Sequence, residues 1–433
     1  MVIDEEIISA GITPQILSEL ITRHGNGTQR LEKLMDYYLG RHDILNRKRT
    51  SDKISNNRII CNHAKYIVDM TKSYLVGNPI SYVCSDEYDI EALKNCYCEQ
   101  DMASLDAELE REMSIYGRAY ELIFVNEESK PRSVRLSPLN TFVVYACSVN
   151  EKPLFGVHYY KKYDIKGKVT GICCIVCDKT SVYTFENDTD SFVNMRLTGV
   201  SLHYFGAVPL IEHKNNEERQ SDFEQVISLI DAYNLLMSDR VNDKEQFVEA
   251  FLFLTGIELD SDQAKKLKEE RILMGYEGAT AAYLSKVMSE SDVEILRNNI
   301  KQDIHRFSMV PDLSDESFGN NLSGVAIKYR LMGFEQHTRN KERYFTKTLK
   351  KRFELYNNFL SLKGSMHYVP IHRVDIIFTR NMPVNELETS QMINNLHGIA
   401  TDKTLLAQLP FVGDPEEEAA LAQKEKTAEL KRQ

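Results

Sequence analysis

Tryptophan is absent from this 433-residue chain, and so is any excess of base: the formal net charge is −11. A protein built to grip nucleic acid along its whole surface is usually basic, so tight DNA binding by the whole chain is excluded. A surface that DNA passes without sticking is not. No apolar run approaches the ~20 residues that span a bilayer; Ala250-Phe-Leu-Phe-Leu254 is far too short. The start, Met1-Val-Ile-Asp-Glu-Glu6, carries acid where a secretory signal needs base. The reading is a soluble, cytosolic protein with no membrane partner.

Catalytic motifs are missing too. There is no H-E-x-x-H helix, no G-x-S-x-G elbow, and no third glycine behind Gly25-Asn-Gly27 for a dinucleotide loop. The histidines are scattered singly. Asp312, Asp315 and Glu316 could ligate a cation, but carboxylates so placed more often cap and flank a loop. Of eight cysteines, Cys96 and Cys98 flank Tyr97, while Cys173, Cys174 and Cys177 crowd one segment. Neither spacing is the usual paired zinc spacing. Gly171-Ile-Cys-Cys-Ile-Val-Cys177 reads instead as a buried strand whose thiols behave as small hydrophobes. No metal, no cofactor and no enzymatic activity are expected.

What is present is organisation. Phe318-Gly-Asn-Asn-Leu-Ser-Gly-Val325 is a Gly- and Asn-rich loop that opens into a long helical pattern. Gly319 and Gly324 have phosphate-loop spacing, yet Val325 and Ala326 stand where lysine and a hydroxyl are needed. The loop therefore reads as a non-nucleotide loop before a helix that Ser323 could cap. Val325 to Leu360 predicts one unbroken helix apart from Gly333, a rod roughly 50 Å long at ~1.5 Å per residue. Its middle, Glu335 to Arg343, is polar all round, as in a helix that bridges domains or faces water. Its later half is basic, with Lys347, Lys350, Lys351 and Arg352.

Before that rod, residues 1–75 read as helical, with Leu31, Leu34, Tyr38 and Leu39 at helical spacing before Gly40. The basic segment Arg41, Arg47, Lys48, Arg49 and Lys53 reads as a solvated surface. Residues 80–213 predict a helix near Asp101 to Ile115. Aromatic and β-branched strands follow at Tyr120–Val125, Thr141–Tyr145, Phe155–Tyr160 and Ser181–Phe185. The fold class is α+β with a mostly antiparallel sheet. Ser221-Asp-Phe-Glu224 has capping-box form. The helix after it is apolar through Phe223, Val226, Ile227, Ile230, Tyr233 and Met237, then polar to about Glu249, which marks a domain exit. Residues 250–289 predict a small unit: a strand, a charged helix near Asp262 to Glu270, and a strand near Arg271 to Met274. A second helix follows from Ser291 to Met309, with Val293, Leu296, Ile300, Ile304 and Phe307 at helical spacing. A strand at Val374–Thr379 is expected to rejoin the earlier sheet, and the last fifty residues read as helical.

Several short motifs, in order, carry a resemblance. They are Tyr38-Leu-Gly40, Asn57-Arg-Ile59 and Tyr74-Leu-Val-Gly-Asn-Pro-Ile-Ser-Tyr82; Gly117-Arg-Ala-Tyr-Glu-Leu122, Pro209-Leu-Ile-Glu212 with Asn215-Asn216, and Leu229-Ile-Asp-Ala-Tyr-Asn234; then Pro311-Asp312 and Phe318-Gly-Asn-Asn-Leu-Ser-Gly-Val-Ala326. Their order resembles the portal proteins of tailed bacteriophages with long, non-contractile tails, the head–tail connectors. The resemblance implies a mixed α/β wing at residues 1–220, stem helices at 221–249 and 291–310, and a small α/β clip at 250–290. It also implies a tunnel loop at 311–324, a long helix with a strand returning to the wing at 325–380, and a helical crown at 381–433. It implies a closed ring, commonly of twelve subunits, at one capsid vertex in the virion, assembled in the host cytoplasm. Double-stranded DNA would pass through it without sequence preference during packaging and ejection. Its implied partners are the terminase large subunit, the major capsid and scaffolding proteins, and a head–tail adaptor. Terminase would supply ATP hydrolysis. The tunnel loop would present Phe318, Gly319, Asn320, Asn321, Leu322 and Ser323 toward DNA. Asp239, Arg240, Asp243 and Lys244 are candidates to line the channel, expected to be electronegative because Asp231 and Glu245 add to the acid. A cytosolic nucleic-acid enzyme and a helical scaffold protein are the competing readings.

Overall fold

The computed structural model describes residues 1–8, 11–48, 55–85, 87–149, 151–248, 251–255, 280–284, 290–314, 324–380 and 386–406, with a few isolated positions beyond. The chain opens with a short strand, β1 (Val2–Ile3), and three helices, α1 (Pro14–Gly25), α2 (Thr28–Tyr38) and α3 (His63–Val76). Two of these helix starts, those of α1 and α3, have a side-chain cap. Thr13 Oγ1 accepts the Ile16 N–H at 3.4 Å ahead of Pro14, which suits a first helical position. Asn62 Oδ1 accepts the Lys65 N–H at 3.0 Å. After α2 the backbone turns at Gly40, where φ is +79°.

Strand β2 (Ser81–Cys84) and helices α4 (Glu91–Glu99) and α5 (Met102–Tyr116) lead into the sheet region. Its strands are β3 (Arg118–Val125), β4 (Pro131–Leu136), β5 (Thr141–Ala146), β6 (Pro153–Tyr163), β7 (Val169–Cys177), β8 (Ser181–Asn187), β9 (Arg196–Leu202) and β10 (Leu210–Lys214). The one antiparallel sheet expected is in fact two. A six-stranded sheet has the order β1-β5-β6-β7-β8-β9, and a three-stranded sheet has the order β10-β3-β4. Only β1 runs parallel to its neighbour in the larger sheet. A strand of two residues lies below any periodicity signal, so β1 was not legible. The larger sheet buries Phe142, Phe155, Ile172, Cys174 and Val176 against Leu17, Leu20 and Ile21 of α1. Cys173, Cys174 and Cys177 are all buried on β7, as the strand reading required.

Helix α6 (Ile227–Val248) leaves this body, and α7 (Glu290–Ser308) returns to it. Between them β11 (Phe251–Thr255) pairs antiparallel with β12 (Thr280–Leu284). The strand pairing with β11 thus lies at Thr280–Leu284. The expected helix at 262–270 and strand at 271–274 fall outside the described residues.

The long rod is not unbroken. It divides into α8 (Gly324–Arg330) and α9 (Met332–Leu362) at Leu331. Bonds from Leu331 N to Ile327 O at 3.0 Å and from Glu335 N to Leu331 O at 2.8 Å carry the chain across the junction. Nor is its polar middle wet all round. Thr338 and Lys341 are buried, and in the basic half Arg352 is fully buried. Partners from distant segments override the local pattern there. After α9, β13 (Val374–Ile377) pairs antiparallel with β2 in a separate two-stranded sheet and does not rejoin the larger one. Arg380 then ties the chain to α9 through Glu335 at 3.1 Å and Glu342 at 2.5 Å. In the last segment α10 (Glu386–Leu396) and α11 (Asp402–Leu406) are helical, as expected. The acid-led helix expected from Pro415 falls largely outside the described residues.

Candidate channel stem

Helix α6 is built onto the body by its first turn. The Ser221 N–H donates to Glu224 Oε2 at 3.2 Å, the backward half of a capping box. The other half is diverted. Ser221 Oγ accepts from Phe223 N at 3.4 Å and donates to Ser114 O at 2.8 Å on α5. Phe223, Val226, Ile230 and Tyr233 then enter one core with Leu31, Leu34 and Tyr37 of α2 and Ile67 and Val68 of α3. Its apolar stripe is therefore the helix's attachment to the body.

Farther along, the same helical face changes chemistry. Val226 and Ile230 are followed at four-residue steps by Asn234, Ser238 and Asn242, all buried. Their side chains receive alternate backbone N–H groups of the extended segment before α3. Cys61 N donates to Asn234 Oδ1 at 2.8 Å, Ile59 N to Ser238 Oγ at 2.9 Å, and Asn57 N to Asn242 Oδ1 at 2.7 Å. The spacing explains the fit. Two residues of extended chain advance about 6.6 Å, and four residues of helix advance about 6 Å. The polar end of α6 is thus clasped by residues 57–61 over this length, where the sequence reading sent it away from its domain. The i, i+4, i+8 run of amide and hydroxyl was the available signal.

Helix α7 lies antiparallel to α6, with Arg240 bonded to Glu294 at 2.9 Å and Ile304 in the core beside Val226 and Ile230. The channel candidates are distributed unevenly over this pair. Asp239 binds Arg47 at 2.7 Å, and Arg240 is held by Glu294. Asp243 is half-buried and Lys244 exposed. Two carboxylates counted toward the channel are also engaged with the body: Asp231 accepts from Tyr37 Oη at 2.7 Å, and Glu245 from Asn57 Nδ2 at 2.8 Å. On α7, Ile304 is buried, but Ile295, Leu296 and Phe307 are 58, 50 and 57 % exposed, and Leu235 on α6 is 43 % exposed. Phe318, Gly319, Asn320, Asn321, Leu322 and Ser323 of the expected tunnel loop lie outside the described residues.

The ground beneath the stem is a pair of buried ionic clusters that the sequence did not reveal. Lys341 Nζ on α9 lies 2.7 Å from Glu110 Oε1, 2.7 Å from Asp222 Oδ2 and 2.6 Å from Ser114 Oγ. Burial raises the Glu110 carboxyl above its ordinary range. Burial acts the same way on Asp222, but Lys341 and His337 outweigh it and hold that carboxyl far below. About three turns farther along α9, Arg352 bonds Glu121 at 2.8 Å and Asp106 at 2.6 Å. His213 bridges Glu121 at 3.0 Å to Thr348 at 2.8 Å. Burial pushes Asp106 up to about 6. It would raise Glu121 too, but Arg352 and His213 bring that carboxyl down to about 2. This acid–His–hydroxyl series resembles a hydrolytic triad only in composition. Its side chains are buried, and Thr348 Oγ1 also donates to Phe345 O at 2.8 Å.

The strap after α7 is tied down as well. Asp312 pairs with Lys301 at 2.6 Å and accepts from Ser314 N at 3.1 Å, the capping role expected of it. Tyr66 on α3 donates to Pro311 O at 2.9 Å and accepts from Leu313 N at 3.1 Å. Among the described residues no three His, Cys, Asp or Glu side chains converge on a metal-sized site, and no helix is long and apolar enough to cross a membrane.

The chain is 26 % identical over 437 residues to the portal protein of Bacillus phage SPP1, covering 95 % of this chain and 86 % of that protein. It is 25 % identical over 435 residues to the portal protein of Clostridium phage phiCD119, covering 92 % of this chain and 93 % of that one. Residues 17–432 match the family described as phage portal protein, SPP1 Gp6-like. The chain therefore belongs to the SPP1 Gp6-like family of phage portal proteins, structural components of the virion that form the DNA packaging channel and docking platform of the capsid.

Proposed function

We propose that the chain closes into a ring, with twelve subunits as the expected number, in which α6 and α7 form the stem. The exposed Leu235, Ile295, Leu296 and Phe307 carry this reading. The opposite side of the helix pair is already packed on the body, so these residues need neighbouring copies to leave water. Residues 1–220 with α8, α9 and β13 act as the wing, 250–290 as the clip and 381–433 as the crown. The loop between α7 and α8, Phe318 to Ser323, reaches toward the DNA. Asp243 is the better channel-lining candidate, because Asp239 and Arg240 form ion pairs within the subunit; Lys244, exposed beside it, is the remaining candidate. The channel passes double-stranded DNA without gripping it. The chain has no catalytic activity of its own; a separate terminase subunit hydrolyses ATP. The clip docks terminase and then the head–tail adaptor, and capsid and scaffolding proteins surround the wing.

The test is native mass spectrometry with electron microscopy of the purified chain, alone and with its scaffolding protein. A closed ring with a duplex-wide hole is expected. Monomer under both conditions overturns the reading. Leu296→Glu with Phe307→Glu is expected to give folded protein that no longer closes rings.

A further inference from the structure

Helix α9 has a side that the protomer does not use. Arg343, Lys347, Lys350 and Lys351 are all exposed and fall within an arc of about 100°. Phe345, Leu349, Arg352, Phe353 and Tyr356 fill the buried side opposite. The other cations of this helix are paired: Arg339 with Glu335 at 2.8 Å, Lys341 with Asp222 at 2.7 Å, and Arg352 with Asp106 at 2.6 Å. Among the described residues, the four in the stripe have no partner in a side-chain ion pair or hydrogen bond. Like charges at i, i+4 disfavour a helix by about 0.2–0.5 kcal/mol per pair. Arg343, Lys347 and Lys351 repeat that spacing twice. An acidic chain thus keeps a concentrated, net-basic stripe about 12 Å long, with Glu354 as an exposed acid on the same face.

A cavity lies beside it. About 200 Å³ of space opens between α9 and the two sheets, walled by Val143, Val208, Leu210, Ile211 and Leu355, with Lys351 and Glu354 of α9 also lining it. The buried carboxylate in its wall, Glu212, is already bound by Tyr145 at 2.8 Å and Arg219 at 2.8 Å. Lys351 is held below its ordinary range first by desolvation, then by Lys347. Cations next to an apolar cavity suit a protein surface that offers carboxylates and an apolar side chain. Phosphate backbone would satisfy the cations and leave the cavity empty.

We propose that the stripe Arg343, Lys347, Lys350 and Lys351, with the adjoining cavity, is one half of the contact between neighbouring subunits and receives an acidic, apolar-anchored surface of a second copy of this chain. The proposal rests on the ring reading above. A second copy fits for two reasons. Each copy carries a net charge of −11, so acid is abundant on the facing subunit. A stripe of four cations and one acid repels its own copy across a two-fold axis, but it can meet a different patch in the head-to-tail contacts of a ring. Closing twelve acidic chains into one ring also needs such pairing to offset their mutual repulsion.

The experiment mixes full-length chains grown with ordinary and heavy nitrogen, assembles them, and couples amines to carboxylates with a zero-length carbodiimide. Mixed-isotope cross-links from Lys347, Lys350 or Lys351 are expected, and each identifies its partner acid. In parallel, the triple variant Lys347→Glu, Lys350→Glu, Lys351→Glu is compared with the triple Gln variant by native mass spectrometry. At least a tenfold rise in monomer fraction is expected for the Glu variant, and a smaller rise for Gln, with unchanged circular dichroism. Wild-type rings without mixed-isotope links at these lysines, or Glu-variant rings as stable as wild type, overturn this proposal and leave the ring intact. If instead the variant loses only binding of a 20-base-pair duplex or of scaffolding protein, the stripe serves that partner and the proposal falls. Wild-type chain that forms no ring overturns both readings together.

Discussion

Ser238 Oγ accepts the Ile59 N–H at 2.9 Å and donates to Asn234 O at 2.7 Å, so one hydroxyl joins an extended segment to the middle of α6. With Asn234 and Asn242 on either side, the first candidate stem helix and residues 57–61 form one unit. These bonds hold the polar end of α6 to the body.

Ser238→Ala leaves the half-buried Ile59 N–H without its partner, at a cost of about 1 kcal/mol. Asn234→Leu removes the acceptor for Cys61 N and also the contact with His42 Nδ1 at 2.8 Å. Both variants are expected to speed hydrogen exchange at the Ile59 and Cys61 amides at least tenfold. Exchange in β7, which is remote from the clasp, is expected to stay at the wild-type rate.

Lys341→Met strands Glu110 and Asp222 together in a dry site. Breaking such a buried pair costs about 3–5 kcal/mol. A large fall in melting temperature is expected, with partial recovery when Asp222→Asn and Glu110→Gln are added. No recovery would mean that Lys341 acts through packing and not through charge.

Gly117 and Gly167 share a left-handed backbone, at φ +80° and +77°, yet they should respond differently to alanine. A Cβ at Gly117 would meet Arg219 O at 2.0 Å, whereas nothing lies within 4 Å of one at Gly167. Gly167→Ala should cost about 1–2 kcal/mol of backbone strain alone. Gly117→Ala should abolish soluble expression, because α5, β3 and the turn before α6 meet there.

Burial raises Glu112 to about 7 even though Arg135 is bonded to it. A carboxyl whose folded pKa is raised adds stability that is fully present below its unfolded value, near 4.5, and lost as pH rises through about 7. Asp106 contributes in the same sense, with loss through about 6. Glu212 runs the other way: burial would raise it, but Arg219 brings it to about 2, so its contribution is present above about 4.5 and lost below. Melting temperature should therefore rise from pH 2 to 4.5 and then lose part of that gain between pH 5 and 8. Glu112→Gln should flatten the second slope. An unchanged slope would rule out Glu112 as its source.

The readable parts of this chain were those governed by neighbours in sequence. Helical spacing located α2, α3, α5, α6 and α7, β-branched and aromatic runs located β3, β5, β6 and β8, and the cysteine-rich run was rightly read as the buried strand β7. The absence of catalytic and phosphate-loop motifs, with the order of short portal-like motifs, pointed to the family before any coordinate was known. Tertiary structure decided where polar residues go. Lys341 and Arg352 look solvated because a helix pattern cannot register acids that come from more than a hundred residues away, as Asp222 and Asp106 do. The single sheet became two, and β13 paired with β2, because a strand's own residues show its pleat but not its partner. Ser238 and Asn242 read as a wet helix end until the extended segment 57–61 lay along them. Hydrogen-bond satisfaction is a property of two segments, and one segment of sequence carries only half of it.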